Sequence, residues 1–280
     1  MAANVTSSNP EAGSTGLGTM AARILLPVLG LVLMLAAWTG VAMLLGPRRL
    51  PSPLDLWPSV FTDLTSNKIL EFQGGGSNGI LPHLLYTIRQ TLLGSALGAL
   101  LGVAIGLATG RFAWWRAFAQ LPIGMLRAIP PLAAVPFTIL WFGPSPMAQI
   151  GVVVFYAALM MTVTTATAIA NLDPLQQQFA RTLGASENHI FRTVVLPAIV
   201  PEIVGGLRVA VGLAWGIEVV SELAGSPLGM GQVFSRMVSF QELGVIIVGI
   251  FWVTVAAAIT DGAIIAMSRT ITRWVPRSND

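Results

Sequence analysis

Six long stretches of this sequence hold almost no charged side chains, and that single feature limits what the chain can fold into. They run over about residues 24–46, 84–109, 117–142, 147–171, 197–222 and 242–267. A helix needs about 20 predominantly apolar residues to cross the hydrocarbon core of a bilayer, and each stretch reaches that length. Charged residues make up 10% of the chain, against about 25% in a soluble domain. With 54% hydrophobic residues and a mean hydropathy of +0.76, the chain lacks the polar groups to cover its own surface. Lipid must solvate much of the exterior. The reading is an all-α integral membrane protein with about six transmembrane helices.

Several function classes drop out on composition. The net charge of +3 comes from Arg residues that punctuate the apolar stretches, whereas a nucleic-acid binder gathers Lys and Arg on one face; no nucleic-acid partner is expected. With no cysteine there is neither a disulfide framework nor a thiolate metal site. The two histidines, His83 and His189, are far apart and lack the His-Glu-x-x-His spacing, so no metal is expected.

Residues 1–22 are polar before Arg23 and are read as a disordered cytoplasmic tail. The stretch from Ile24 to Leu45 exceeds the about 7–15 apolar residues of a signal-peptide core and ends in Gly46-Pro47-Arg48-Arg49. It is read as a permanent span (23–46), followed by an outer loop over 47–83 with a short helix near 55–66. A five-helix core then fills 84–273, and 274–280 form a C-terminal tail. With the N-terminus inside, the inner segments hold eight arginines: Arg23, Arg111, Arg116, Arg181, Arg192, Arg269, Arg273 and Arg277. The outer ones hold four basic residues, Arg48, Arg49, Lys68 and Arg236. Basic residues favour the cytoplasmic side, so both termini are placed there.

Two patterns speak to packing and partners. Gly94, Gly98, Gly102 and Gly106 recur every four residues, a stripe that lets a second helix backbone approach closely in lipid. Between the fourth and fifth spans, residues 172–196 are charged yet keep helical apolar spacing at Leu175, Phe179 and Leu183, then Ile190 and Phe191. Asp173-Pro174 is a helix start, with Asp as N-cap and Pro at the first position. Gly184 ends that helix, and Ser186 or Asn188 caps a second. Two short amphipathic helices on the cytoplasmic face are predicted.

That segment also carries a family resemblance. Gln178-Phe179-Ala180-Arg181-Thr182-Leu183-Gly184, nine further residues and Val194-Val195-Leu196-Pro197 resemble the loop shared by ABC importer permeases. The family pattern is Glu-Ala-Ala, three residues, Gly, nine residues, Ile, one residue, Leu-Pro. Ala180, Gly184, Leu196 and Pro197 are in register, while Gln178, Phe179 and Val194 depart from it. Leu126-Arg127-Ala128-Ile129-Pro130-Pro131-Leu132-Ala133 is similar to the Arg-x-x-Pro-Pro-x-Ala segment of one branch. Gly206-Leu207-Arg208, Ala214-Trp215, Glu218 and Glu222 resemble the fifth helix of the same branch, that of nitrate, taurine, alkanesulfonate and bicarbonate importers.

The resemblance implies a type I importer permease fold in the bacterial inner membrane. It implies a pair of permease copies, expected to be identical, two separate ATPase subunits and a periplasmic or lipid-anchored binding protein that delivers the cargo. ATP and Mg would sit on those ATPases: no Gly-x-x-x-x-Gly-Lys-Ser/Thr loop occurs here, so the chain itself is expected to be no enzyme and to hold no cofactor. The coupling residues it implies are Ala180, Gly184, Ala185, Ser186, Glu187, Asn188, His189, Ile190, Phe191, Leu196 and Pro197, with Ile190 and Phe191 as apolar anchors.

Charges inside spans cost about 2.5–3.5 kcal/mol each on insertion scales, so Arg127, Arg208, Glu218 and Glu222 must face protein or water. Either they line the translocation path, or they form internal pairs such as Arg208 with Glu218 and Arg127 with Glu222, or they snorkel towards an interface. Pro130, Pro131 and Pro136 break the third span, and because unwound backbone at membrane depth is tolerated where it lines a cavity, Pro130 and Pro131 join the path candidates. The rival to the importer reading is a secondary transporter or channel with six spans; it gives no reason for the Gly-to-Leu-Pro loop.

Overall fold

The computed structural model describes residues 16–47 and 49–273. Every regular element among them is a helix: α1 (Gly16–Leu45), α2 (Pro53–Thr65), α3 (Lys68–Phe72), α4 (Leu81–Arg111), α5 (Ala113–Arg127), α6 (Pro131–Phe142), α7 (Pro146–Ala170), α8 (Pro174–Thr182), α9 (Glu187–Ile190), α10 (Leu196–Leu223), α11 (Met230–Ser239) and α12 (Leu243–Ile271), with a π turn at Phe191–Val195. Among the described residues, five helical stretches are long and apolar enough to cross a membrane, or six if the bent pair α5–α6 counts as one.

The chain divides into two compact units, residues 1–60 and 61–280. In the first, α1 is apolar on all described sides: Leu26, Leu33 and Met43 are each more than half exposed. A helix that is hydrophobic all round and unburied belongs in lipid. It begins at Gly16, inside the stretch 1–22 expected to be a tail, because Leu17, Met20, Ala21 and Ala22 favour helix and nothing breaks it before Pro27. Residues 1–15 and 274–280, the rest of the two predicted tails, lie outside the described residues. Ser52 and Asp55 open α2 with a reciprocal cap, Ser52 Oγ–H donating to Asp55 Oδ2 at 2.7 Å and the Asp55 N–H donating back at 3.3 Å.

The second unit is built on one seam. A Cβ added at Gly94 would meet Val153, at Gly98 Ala157, at Gly102 Met161 and at Gly106 Thr165, each at 2.6–2.7 Å. Both series rise by four, so α4 and α7 run parallel with backbones nearly touching. Close approach of this kind replaces the hydrophobic drive that lipid removes. On another face of α4, Thr87 bonds Glu222 while Ser95 shares a cavity wall with Val211; α10 therefore runs antiparallel to α4.

Two expectations take sharper form. The third span over 117–142, which its prolines are expected to break, is not one helix but two, meeting at 97°. Proline disfavours helical geometry in the residue before it, and Pro130 itself is extended at φ −65°, ψ 136° ahead of Pro131 at the start of α6. The second short amphipathic helix is not separate from the fifth span either: Glu187–Leu223 is one run of 37 residues. Pro197 lacks an N–H to continue the ladder, and the wide turn just before it, where the Leu196 N–H reaches the Phe191 carbonyl, absorbs the mismatch.

Candidate functional site

The segment after α7 is an elbow held by local bonds. Asp173 Oδ1 accepts from the Leu175 N–H at 2.8 Å and starts α8. Gly184, at φ +81°, stops it, while the Ala185 N–H reaches back to the Ala180 carbonyl at 3.1 Å. That left-handed turn favours glycine over any residue with a side chain. Ser186, rather than Asn188, caps α9 by accepting from the His189 N–H. Across the elbow the Arg181 guanidinium donates to both Glu187 oxygens at 2.7 and 3.2 Å. Glu187, by its hydrogen bond and then by its charge, holds Arg181 even more firmly protonated.

A third element joins the elbow from a distance in sequence. Arg111, the last residue of α4, donates to Asn188 Oδ1 and lies 4.5 Å from the Phe191 ring centroid. One guanidinium thus ties α4 to both α9 and the π turn by a hydrogen bond and a cation–π contact.

The predicted anchors need one correction. Ile190, the last residue of α9, is 2% exposed and packs inside its own chain. The exposed apolar side chains are Leu175 and Phe179 on α8 and Leu183 at its C-cap, at 66%, 66% and 74%. Ala180 and Ala185 are half-buried and Ser186, Glu187, Asn188 and His189 exposed, while Leu196 and Pro197 enter α10 half-buried.

The intramembrane charges sort into three groups. Arg208 forms a two-pronged pair with Asp261 of α12, at 2.7 and 2.9 Å, and not with Glu218 as the sequence suggested; Asp261 escaped notice because only packing brings it near. Glu218 and Glu222 are fully buried, which removes them from any wall that cargo could touch. The Glu222 carboxylate accepts from the Thr87 hydroxyl at 2.8 Å and from the Gly231 N–H at 2.8 Å, while Thr87 accepts from the Met230 N–H at 2.9 Å. His83, set aside in the sequence, completes this knot. Its Nδ1 accepts from the Gly229 N–H at 3.2 Å, so its Nε2–H donates to the Gly75 carbonyl at 3.0 Å. Glu222→Ala should therefore lower the thermal midpoint in detergent by the equivalent of about 1–3 kcal/mol, since the buried Gly231 N–H loses its acceptor while the Thr87 hydroxyl can turn to the His83 carbonyl at 3.1 Å; Glu222→Gln, which keeps one oxygen, should lose less.

Arg127 stands apart. It ends α5 at the bend, and among the described residues it forms no ion pair. It lines two cavities, one of about 190 Å³ with Pro131, Tyr156 and Ile217, the other of about 470 Å³ with Arg116 and Thr162. The backbone freed by the bend is partly satisfied by the Tyr156 hydroxyl, which donates to the Ile129 carbonyl at 3.0 Å. Unwound backbone at membrane depth is tolerated where it lines a cavity in this way.

Residues 94–278 match the family described as the inner membrane component of binding-protein-dependent transport systems. The chain belongs to this family. Among relatives of the permease is the taurine transport system permease protein TauC of Escherichia coli (strain K12), 28% identical with 90% of each chain covered. The permease is also 31% identical to SsuC of the same organism, named for aliphatic sulfonates transport, over 83% of this chain and 84% of that one. The nitrate import permease protein NrtB of Synechococcus elongatus is 26% identical over 73% of each chain. In fold the permease resembles a chain of the MetNI methionine ABC transporter in an inward-facing conformation, with a TM-score of 0.61 and 16% identity; the match covers 74% of this chain and 99% of that one. The permease is thus a multi-pass membrane protein of the ABC importer class.

Proposed function

We propose that the permease imports a small anion of the nitrate, sulfonate, taurine or bicarbonate kind, handed over by a binding protein outside the membrane. It does so as a homodimer on two separate ATPases, which bind the ATP and Mg. Residues 172–196 form the coupling loop, and both termini are cytoplasmic. The observation that carries this reading is the elbow α8–Gly184–α9. Leu175, Phe179 and Leu183 are exposed on a segment too charged for lipid, and exposed apolar side chains rimmed by polar ones mark a protein partner. The relatives' names and the unpaired Arg127 support an anion as cargo. Of the path residues expected from sequence, Arg127, Pro130 and Pro131 stay in this assignment. Arg208 is braced by Asp261 and Glu222 by Thr87 and Gly231, while Glu218 is buried with neither carboxylate oxygen hydrogen-bonded among the described residues.

The test is co-purification. Gly184→Val strains a left-handed turn and displaces α8 relative to α9. It should cut ATPase recovery about tenfold, a shift of about 1.4 kcal/mol, while membrane insertion stays normal. Full ATPase recovery with normal uptake would remove the docking role.

A further inference from the structure

The larger cavity beside Arg127 has a composition that the fold alone does not require. Arg116, Gln120 and Arg127 occupy one face of α5 and line it, with Thr109, Thr162 and Thr167 across from them. No acidic residue is in its wall. Arg116 donates through Nε to the Thr109 carbonyl at 3.1 Å and through Nη2 to the Gly110 carbonyl at 3.0 Å. Those neutral acceptors fix its position but leave its charge uncompensated. Among the described residues, neither arginine is in an ion pair.

Arg127 lies within the span, where an uncompensated guanidinium is costly unless an anion or water answers it, and Arg116 adds a second uncompensated charge at the inner end of the same cavity. The other side of α5 shows the contrast: Trp114, Phe118, Leu121 and Met125 are each about two-thirds exposed, as lipid or an apolar partner would have them. The cavity lies at the end of the bundle that carries the elbow, since Ala170, the last residue of α7, is in its wall. Arg127 alone of the charged residues also lines the smaller cavity on the other side of the bend.

Building on the anion reading of the cargo, we infer that this cavity is a second anion station, past the bend. Here a small oxoanion is held by Arg116, Gln120 and Arg127 before it leaves on the elbow side. The two parallel N–H donors of a guanidinium match a pair of oxygens on nitrate, carboxylate or sulfonate. The Gln120 amide and the threonine hydroxyls supply neutral donors, so the hold is strong enough to draw the anion past the bend without trapping it. About 470 Å³ leaves room for such an anion with part of its water shell.

The experiment uses the full complex of permease, ATPase and binding protein in phosphatidylcholine proteoliposomes, with labelled taurine and labelled nitrate as probes. Gln120→Glu places a carboxylate between the two arginines and Gln120→Met a neutral side chain of similar length. At equal ATPase recovery, Gln120→Glu should lower maximal uptake about tenfold or more, the scale of a misplaced like charge, and Gln120→Met only a few-fold. Equal uptake by Gln120→Glu and the wild type would overturn the station while leaving anion import in place. Wild-type uptake of neither probe would overturn the anion reading and the station together. Unchanged uptake with loss of a bound acidic phospholipid, seen by native mass spectrometry of the Gln120→Glu complex, would assign the two cations to a lipid headgroup instead.

Discussion

Gly98→Leu should leave no assembled permease in the membrane. A Cβ at this position already comes within 2.6 Å of the Ala157 Cβ and 2.7 Å of the Val154 carbonyl oxygen. Backbone, unlike the far end of a flexible side chain, cannot swing aside. Leucine would force α4 and α7 apart along the whole seam, a disturbance beyond the about 1–3 kcal/mol of ordinary overpacking. Because lipid solvates leucine as well as protein does, no hydrophobic gain offsets the lost fit. The measurement is the yield of monodisperse protein after mild detergent extraction. Leu100→Phe, at a position 71% exposed, is the control and should extract like the wild type. Normal yield for Gly98→Leu would mean that the seam is looser than the distances imply.

Arg111→Ala should uncouple ATP hydrolysis from transport without detaching the ATPase. The exposed side chains Leu175, Phe179 and Leu183 and the Arg181–Glu187 hydrogen bonds remain without Arg111, whose charge is only the smallest influence on Glu187, so the proposed docking surface survives. What disappears is the tie from α4 to Asn188 and Phe191, and with it the route by which motion of the elbow reaches the α4–α7 pair. A coupling of 1–3 kcal/mol is typical of such links, so transport per ATP should fall about fivefold or more. Arg111→Lys keeps a charge for Asn188 but not the planar stack on Phe191 and should fall between the two. Reconstituted complexes, assayed for uptake and phosphate release together, decide the matter. Unchanged stoichiometry would make Arg111 a local brace only.

Features fixed by short-range chemistry were legible in the sequence. Gly94 to Gly106 announced the seam, Asp173-Pro174 and Gly184 marked the two ends of α8, and the apolar stretches marked the spans. The bend at Pro130-Pro131 was half legible: the prolines announced a break in the span, but no local signal set its angle of 97° between α5 and α6. The continuity of α9 with α10 was hidden by a local compensation, since Pro197 read as a boundary until the π turn gave it room. Long-range pairings were not legible at all. Asp261 lies 53 residues from Arg208, and Thr87 lies 135 from Glu222. No spacing rule joins residues that far apart. His83 is the sharpest case, for a lone histidine at a helix start carries no signal of its own, yet it bridges Gly75 and Gly229.

The unbroken run from Glu187 to Leu223 makes this stretch of chain a lever arm. Its 37 residues at about 1.5 Å each give a rod of about 55 Å. Pivoted near the elbow, a tilt of about 5° would sweep its far tip through about 5 Å, close to one helical turn. That tip carries Glu222, which is fastened through Thr87 to α4 and through Gly231 to the turn before α11. Any such tilt would therefore load the buried knot, at the opposite end of the rod from the elbow.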